Sequence, residues 1–161
     1  TSQLGTSEPA YLHPIAVAHT LLAYTQNVDT LLAALLHDTI DTTRLSWHYI
    51  ALRFNPVVQR IVEGVTSVDT RLSSFKKIQL SRQEAILKLL EVKDERVLYV
   101  KLADRLHHTR TMETDLPPTQ QESMAEETLQ FYVPLATHLG LTPIAEELKE
   151  KCLKVINVRK L

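Results

Sequence analysis

The chain has 161 residues, of which 44% are hydrophobic and 23% charged, and its formal net charge at pH 7 is −1. These proportions are typical of one globular domain that buries its own core, and the near-zero charge excludes a nucleic-acid scaffold held by bulk electrostatics. No apolar run reaches the roughly 18 residues of a membrane-spanning helix, and no secretory signal is visible, so we expect no membrane contact and a cytoplasmic location. The single cysteine, Cys152, excludes an internal disulfide and is expected in the core.

Helical periodicity dominates the first forty residues, and neither Asn-Gly nor Asp-Gly, the strongest hairpin signal, occurs anywhere in the chain. A proline directly before Ile15 suits the first turn of a helix from Ile15 to about Tyr24, with His13 at or just before its N-cap. A central helix follows behind Asn27 or Asp29 and is predicted to end near Ile40. The fold class is therefore predicted to be all-α.

The middle of the chain is predicted to contain three helices separated by polar segments. The predicted elements are a helix from Trp47 to Phe54 behind Ser46 as its N-cap, a helix from Val57 to about Val65, a polar loop from Thr66 to Ser74, and a helix from about Phe75 to Glu91.

The segment from Glu95 to Thr111 predicts an amphipathic helix with a carboxylate among apolar neighbours. Its core side chains are expected to be Val97, Leu98, Leu102 and Leu106. Asp104 lies on a different stripe, with Lys101 and His108 about one turn away. An ordinary ion pair of Asp104 with either neighbour is the alternative to a functional role.

The C-terminal third predicts a helical hairpin. Its first helix is expected from about Ser123 to His138 with a kink at Pro134, and its second from Pro143 to about Ile156, with Gly140 as the stop between them.

Ionisable side chains follow the most apolar stretch of the chain. The run from Leu31 to Leu36 predicts a buried helix, yet it ends in His37 and Asp38, and Asp41 follows on the same helical face. Buried ionisable groups are unfavourable unless they are paired, hydrogen-bonded or bound to metal, so this is a candidate metal site. The alternative is that His37 and Asp38 merely close a helix.

The motifs taken together resemble one family. In chain order they are HPIAVA with His13, LLAALLHDTIDTT with His37 and Asp38, VEGVTS with Gly64, VKLADRLHHTRTM with Asp104, and ETLQFYVPLATHLGLTPIAEEL. From about Ser7 to Ile156 they resemble, in order and spacing, the hydrolase domain of the RelA/SpoT family of HD-domain phosphohydrolases. The resemblance implies that residues 1–161 form one HD-type helical bundle that removes the 3′-pyrophosphate of ppGpp and pppGpp.

The same resemblance implies one divalent metal, usually Mn²⁺. Its ligands would be His13, His37, Asp38 and Asp104. Two neutral imidazoles and two carboxylates balance a dication and suit Mn²⁺ in mixed nitrogen and oxygen coordination. The implied mechanism is metal-assisted hydrolysis, in which the bound metal lowers the pKa of its water.

Substrate contacts are predicted along the same helix as Asp104. Lys101, Arg105 and Arg110 are candidates to neutralise phosphoryl charge, and the alternative for each is a solvated helix charge. Thr111 matches a threonine that the family uses against the nucleotide. His108 is a further candidate for substrate binding and is expected to assist Asp41 in hydrolysis.

The acidic pair of the family is altered in this chain. Hydrolytically active relatives carry HD-x-x-ED, in which the acidic pair is implicated in activating the attacking water, and the matching residues here are Asp41 and Thr42. Asp41 keeps a carboxylate, whereas the Thr42 hydroxyl cannot act as a general base near neutral pH. Losing a positioned acid or base typically lowers the rate by about 10² to 10⁴.

Nucleotide-contact positions also depart from the family pattern. Leu4 and Gly5 stand where the family has basic residues, Ala10 replaces a tyrosine, Ala85 an arginine and His108 an asparagine. Two or three guanine or phosphate contacts are therefore expected to be missing.

Three functions follow from this pattern. The leading prediction is Mn²⁺-dependent ppGpp and pppGpp hydrolysis, slower than in relatives with both acids. The alternatives are a catalytically degenerate regulatory domain that binds metal and nucleotide, and a hydrolase of another nucleotide such as NADPH. Long family members continue into a C-terminal synthetase domain, so the chain is either part of such a bifunctional protein or a stand-alone hydrolase.

Overall fold

The computed structural model describes residues 9, 11–38 and 47–160. Within these ranges the chain is built from helices and contains no strand, which confirms the all-α prediction. The elements are α1 (Leu12–Leu21), α2 (Val28–Leu36), α3 (Trp47–Arg53), α4 (Pro56–Ile78), α5 (Arg82–Leu89), α6 (Glu95–Asp115), α7 (Pro118–Glu127), a π-helical turn (Thr128–Tyr132), α8 (Val133–His138) and α9 (Thr142–Lys160).

Helix α6 lies at the centre of the bundle. It packs against α1, α2, α4 and α9, and the four core residues predicted for it, Val97, Leu98, Leu102 and Leu106, are all buried. Because α6 has neighbours on several sides, apolar side chains occupy more than one of its faces. A polar residue on this helix is therefore placed inside the protein, as Asp104 is.

Helix α4 corrects the predicted loop. The segment from Thr66 to Ser74 was expected to be polar and irregular, but it continues the helix from Pro56 to Ile78. The segment is helical because a buried apolar stripe at helical spacing continues through its polar residues. That stripe consists of Val65, Val68 and Leu72. The helix stops only at Gln79, which adopts a left-handed conformation with φ of 53°.

The C-terminal hairpin has the predicted stop and an irregular first arm. The π-helical turn ends at Tyr132, two residues before Pro134, whose missing N–H interrupts the helical hydrogen bonds in this part of the arm. Gly140 has φ of 75°, and the N–H of Leu141 donates to the carbonyl of Ala136 over 2.9 Å, as in a Schellman cap. Cys152 is fully buried in α9, as predicted.

Among the described residues, no helix combines the length and the apolar character needed to cross a bilayer.

Candidate metal centre

His13 enters the centre from the first turn of α1. The helix starts at Leu12, three residues before the predicted start, so His13 lies inside the helix rather than at its N-cap. Proline is tolerated throughout a first turn because its missing N–H has no intrahelical partner, which explains why Pro14 did not mark the exact boundary. The imidazole is 6% exposed.

His37 and Asp38 enter from the end of α2. The helix begins behind Asn27, as predicted, and ends at Leu36, earlier than the predicted Ile40, with His37 as its C-cap. The His37 Nδ1–H donates to the carbonyl of Ala34 over 2.6 Å, which fixes the orientation of the ring. Asp38 keeps 47% of its side chain exposed, so this carboxylate faces the open side of the centre.

Asp104 is the point on which the other side chains converge. Its Oδ1 lies 2.8 Å from Nε2 of His13, 3.1 Å from Nε2 of His37 and 3.2 Å from Nε2 of His108. The carboxylate of Asp38 lies 3.3 Å from the same His37 nitrogen. Donor atoms of His13, His37, Asp38 and Asp104 all lie within 4.8 Å of one another. Side chains from α1, α2 and α6 therefore meet at one point.

A buried cation holds the second oxygen of Asp104. The Lys101 ammonium donates to Asp104 Oδ2 over 3.0 Å and to Asp69 on α4 over 2.5 Å. Burial alone would raise the pKa of the Asp104 carboxyl, but Lys101 and the surrounding imidazoles hold that pKa well below its usual range. Burial likewise opposes the charge on Lys101, yet Asp104 and Asp69 raise its pKa. Asp104 is thus a permanent carboxylate with Oδ1 directed at the imidazoles.

The hydrogen bonding of His37 directs its second ring nitrogen at Asp104. Because the Ala34 carbonyl can only accept, the Nδ1 of His37 carries a proton, and Nε2 of the neutral ring is a bare lone pair. That lone pair faces the negative Oδ1 of Asp104 across 3.1 Å. The repulsion is relieved by a second proton on His37 or by a metal ion between the two atoms. Consistent with this, Asp104 and Asp38 raise the pKa of His37 although burial alone would lower it.

The donor chemistry fits a divalent metal. Two imidazole nitrogens and two carboxylates supply neutral and negative donors that offset a double positive charge, and borderline ions such as Mn²⁺ accept this mixture. All four predicted ligands lie together, three of them buried and Asp38 partly open. An open side is required if water or substrate is to share the metal.

Among the predicted substrate residues, His108 is close to Asp104, whereas Arg105 points elsewhere. The ring of His108 stacks on His13 with centroids 4.2 Å apart and is 38% exposed. The guanidinium of Arg105 donates to Glu127 over 2.6 Å and lies 4.2 Å from the ring centre of Tyr132, so it is enclosed by its own protein partners.

Arg110 and Thr111 lie further along α6. Arg110 donates to Glu147 on α9 over 2.5 and 2.7 Å. The Thr111 hydroxyl donates to the backbone carbonyls of His107 and His108. The substrate contacts of Arg110 and Thr111 stay predictions.

His107 is the site residue that sequence analysis missed. Its Nδ1 lies 2.6 Å from Nδ1 of His13, on the side of that ring opposite Asp104. Burial and the neighbouring His13, His108 and Arg110 lower the pKa of His107 to about 4, so the ring is neutral at physiological pH. Its position three residues after Asp104, on the same face of α6, is the signal that could have revealed it.

The predicted catalytic positions and several altered contacts lie outside the described residues. These are Asp41, Thr42, Leu4, Gly5 and Ala10. Ala85 is described, and it is fully buried in the core from α5.

Comparison with known proteins places the chain in a family. The HD domain family matches residues 1–142. A protein of Mycobacterium leprae named probable GTP pyrophosphokinase is 37% identical over 162 residues, which is 99% of this chain and 20% of the relative. The GTP pyrophosphokinase of Streptomyces coelicolor is 37% identical over 153 residues, 94% of this chain and 18% of the relative.

A third relative carries hydrolysis in its name. The bifunctional (p)ppGpp synthase/hydrolase SpoT of Escherichia coli K12 is 38% identical over 146 residues, which is 91% of this chain and 21% of that protein. The chain thus spans about a fifth of the length of these relatives. With the match over most of its length, and with relatives from the RelA/SpoT family that its motifs indicated, the chain belongs to the HD domain family.

Proposed function

We propose that this domain hydrolyses the 3′-pyrophosphate of ppGpp and pppGpp at a single Mn²⁺ ion. The observation that carries the proposal is the meeting of His13, His37, Asp38 and Asp104, whose donor atoms all lie within 4.8 Å of one another. The relative from Escherichia coli is named for both synthesis and hydrolysis of these nucleotides, which supports the choice of substrate. Other relatives are named as pyrophosphokinases, so the assignment of hydrolysis rests on the site itself.

The side chains of the centre have separate proposed roles in holding the metal, fixing the charge of Asp104 and accepting a proton. When bound here, the metal would lower the pKa of a coordinated water and polarise a phosphoryl oxygen. His13 and His37 offer Nε2 lone pairs, and Asp38 and Asp104 offer negative oxygens. Lys101 keeps Asp104 ionised and leaves only Oδ1 free for the metal. Asp41 is proposed to accept a proton from the attacking water, because it is the carboxylate retained from the family's acidic pair.

The proposed substrate residues contribute in two ways. His108 and Thr111 are proposed to contact the nucleotide, and His108 lies beside Asp104 with part of its ring open to solvent. Lys101 and Arg105 are buried in pairs with Asp104, Asp69 and Glu127, so we propose that they act through their positive charge rather than by touching the substrate.

A regulatory domain that binds metal and nucleotide without turnover is the second candidate. The observation that favours it is Thr42, which replaces one acid of the pair that relatives use to activate water. We also propose a cytoplasmic location and, from the names and lengths of the relatives, a C-terminal synthetase domain in a longer protein.

The decisive experiment measures pyrophosphate release from ppGpp by the purified domain, with and without Mn²⁺. Asp104→Asn removes a metal ligand, and Glu113→Gln on the exposed face of the same helix is the matched control. We expect Mn²⁺-dependent release that falls at least about 10²-fold in Asp104→Asn, because a metal contributes several kcal/mol of transition-state stabilisation. Glu113→Gln should keep the wild-type rate. Release that needs no metal, or that survives in Asp104→Asn, would overturn the proposal.

A change at Thr42 separates a slow hydrolase from a regulatory domain. If wild-type turnover is absent although Mn²⁺ binds, and Thr42→Asp creates turnover while Thr42→Asn does not, the native domain is regulatory. A wild-type rate that Thr42→Asp raises, by up to about 10² to 10⁴, identifies an active but impaired hydrolase. Release of phosphate from NADPH, with none from ppGpp, would move the assignment to the other nucleotide.

A further inference from the structure

His13 makes a second, directional contact on the side of its ring that faces away from Asp104. Nε2 of the ring lies 2.8 Å from Asp104 Oδ1, and Nδ1 lies 2.6 Å from Nδ1 of His107. Both His13 nitrogens are therefore engaged, one with Asp104 and one with the His107 ring.

The chemistry of a metal-binding histidine decides the direction of that contact. An imidazole that gives its Nε2 lone pair to a metal carries its proton on Nδ1, and that N–H needs an acceptor. Two ring nitrogens 2.6 Å apart can share only one proton, so a His13 Nδ1–H must be met by the lone pair of His107 Nδ1. If His107 also carried its proton on Nδ1, the N–H groups of His13 and His107 would point at each other and repel.

The other imidazole ligand is oriented in a different way. The Nδ1–H of His37 donates to the Ala34 carbonyl one turn earlier in its own helix. His13 finds its acceptor on another helix, because His107 belongs to α6. Asp104 and His107, three residues apart on α6, thus contact the two nitrogens of the same His13 ring.

We infer that His107 is a positioning residue of the metal centre, which fixes the tautomer and the angle of His13 through the Nδ1–H to Nδ1 hydrogen bond. The inference rests on the proposed metal site and adds to it a residue that binds no metal itself. It also explains why α6 carries adjacent histidines, since His107 serves the His13 edge and His108 faces Asp104.

The test uses two variants that differ only in the acceptor. In His107→Asn the side-chain amide can place an oxygen near the position of Nδ1, whereas His107→Leu has nearly the same shape and no acceptor. We expect the dissociation constant for Mn²⁺, measured by calorimetry, to rise about 10- to 100-fold in His107→Leu and to stay within about threefold of wild type in His107→Asn. The visible spectrum of Co²⁺ bound at the site should change in His107→Leu and be restored in His107→Asn.

Each other outcome counts against a stated part of the inference. Equal weakening in both variants would show that His107 serves only packing, and unchanged binding in both would show that it does not position His13. If the wild-type domain binds no Mn²⁺, the metal centre itself is refuted, and the role of His107 falls with it. Thermal unfolding of the metal-free variants identifies a His107→Leu protein that has failed to fold, and His107→Phe then takes its place.

Discussion

His37 meets a backbone carbonyl on one edge and a carboxylate on the other, and this makes it the pH-sensitive residue of the centre. Burial alone would lower its pKa, but the hydrogen bond and charge of Asp104, with the charge of Asp38, raise that pKa above 6.5 in the metal-free protein. A metal ion and the extra proton compete for the same Nε2 lone pair. Binding of metal must therefore expel a proton.

We predict that the affinity for Mn²⁺ falls as the pH is lowered. For each proton expelled, the dissociation constant rises about tenfold per pH unit below the raised pKa of His37. Calorimetric titrations with Mn²⁺ between pH 6 and 8, in buffers of different ionisation enthalpy, would give both the affinity and the number of protons released. His138→Asn, exposed at the end of α8, should leave the slope unchanged. A dissociation constant that is the same at both ends of this range would contradict the prediction.

The stability of the metal-free protein depends on pH in the opposite direction to the affinity for Mn²⁺. Since the pKa of His37 is higher in the folded state than the unfolded value of 6.5, the proton stabilises the metal-free fold. That contribution is complete below pH 6.5 and is lost as the pH rises through the folded pKa.

The residues of the centre were predictable to different degrees from the sequence. The His37 and Asp38 pair stood out because polar groups end an apolar helix, whereas His13 and Asp104 were found only through the family motifs. No local pattern links His13 to Asp104, because 91 positions separate them and only tertiary packing joins them. His107 escaped for the same reason, since its partner is 94 positions away.

At the scale of elements, the crossing of α4 and α6 depends on a glycine. A β-carbon built on Gly64 would lie 2.5 Å from Cγ2 of Val97, closer than two carbon atoms can approach without movement. Val97 is 2% exposed, and the close packing of protein interiors resists the shift that the contact would require. Gly64, in the middle of a 23-residue helix, therefore allows α4 to lie directly against the helix that carries Asp104.

We predict that Gly64→Ala destabilises the domain although alanine favours helix. Overpacking against Val97 should cost about 2 to 3 kcal/mol and the gain in helix propensity is about 1 kcal/mol, so the free energy of unfolding should fall by about 1 to 2 kcal/mol. Urea unfolding of the metal-free protein measures this difference. In a Val97→Ala background the two γ-carbons are gone, so the same Gly64→Ala change should become neutral or stabilising. An equal loss in both backgrounds would show that contact with Val97 is not the cause.

The sequence predicts the presence of most helices better than the residues at which they begin and end. Buried apolar spacing identified α6 and its core residues, since periodicity reflects which face meets the rest of the protein. The same spacing runs from Val65 to Phe75 through α4, but the polar residues between them indicate a loop by their composition. The start of α1 was displaced because the first turn of a helix leaves proline several acceptable positions.

At the scale of the whole molecule, the centre connects helices that are far apart in sequence. Its four candidate ligands come from α1, the end of α2 and α6, and α4 contributes Asp69 to hold Lys101. Negative charge at the point where these elements meet is balanced in the metal-free protein by Lys101 and by the proton that Asp104 and Asp38 favour on His37. A bound dication would replace that proton and link the helices directly.

We therefore predict that Mn²⁺ raises the thermal stability of the whole domain. At a free concentration of about 100 times the dissociation constant, a ligand that binds only the folded state adds about 2.7 kcal/mol. For a domain of this size that corresponds to a rise in Tm of about 5 to 10 °C. Calorimetric scans with and without Mn²⁺ measure the rise, which should disappear in Asp104→Asn and persist in Glu113→Gln. Equal shifts in both variants would mean that Mn²⁺ acts elsewhere on the protein, because a centre without the Asp104 carboxylate lacks the oxygen on which its imidazoles converge.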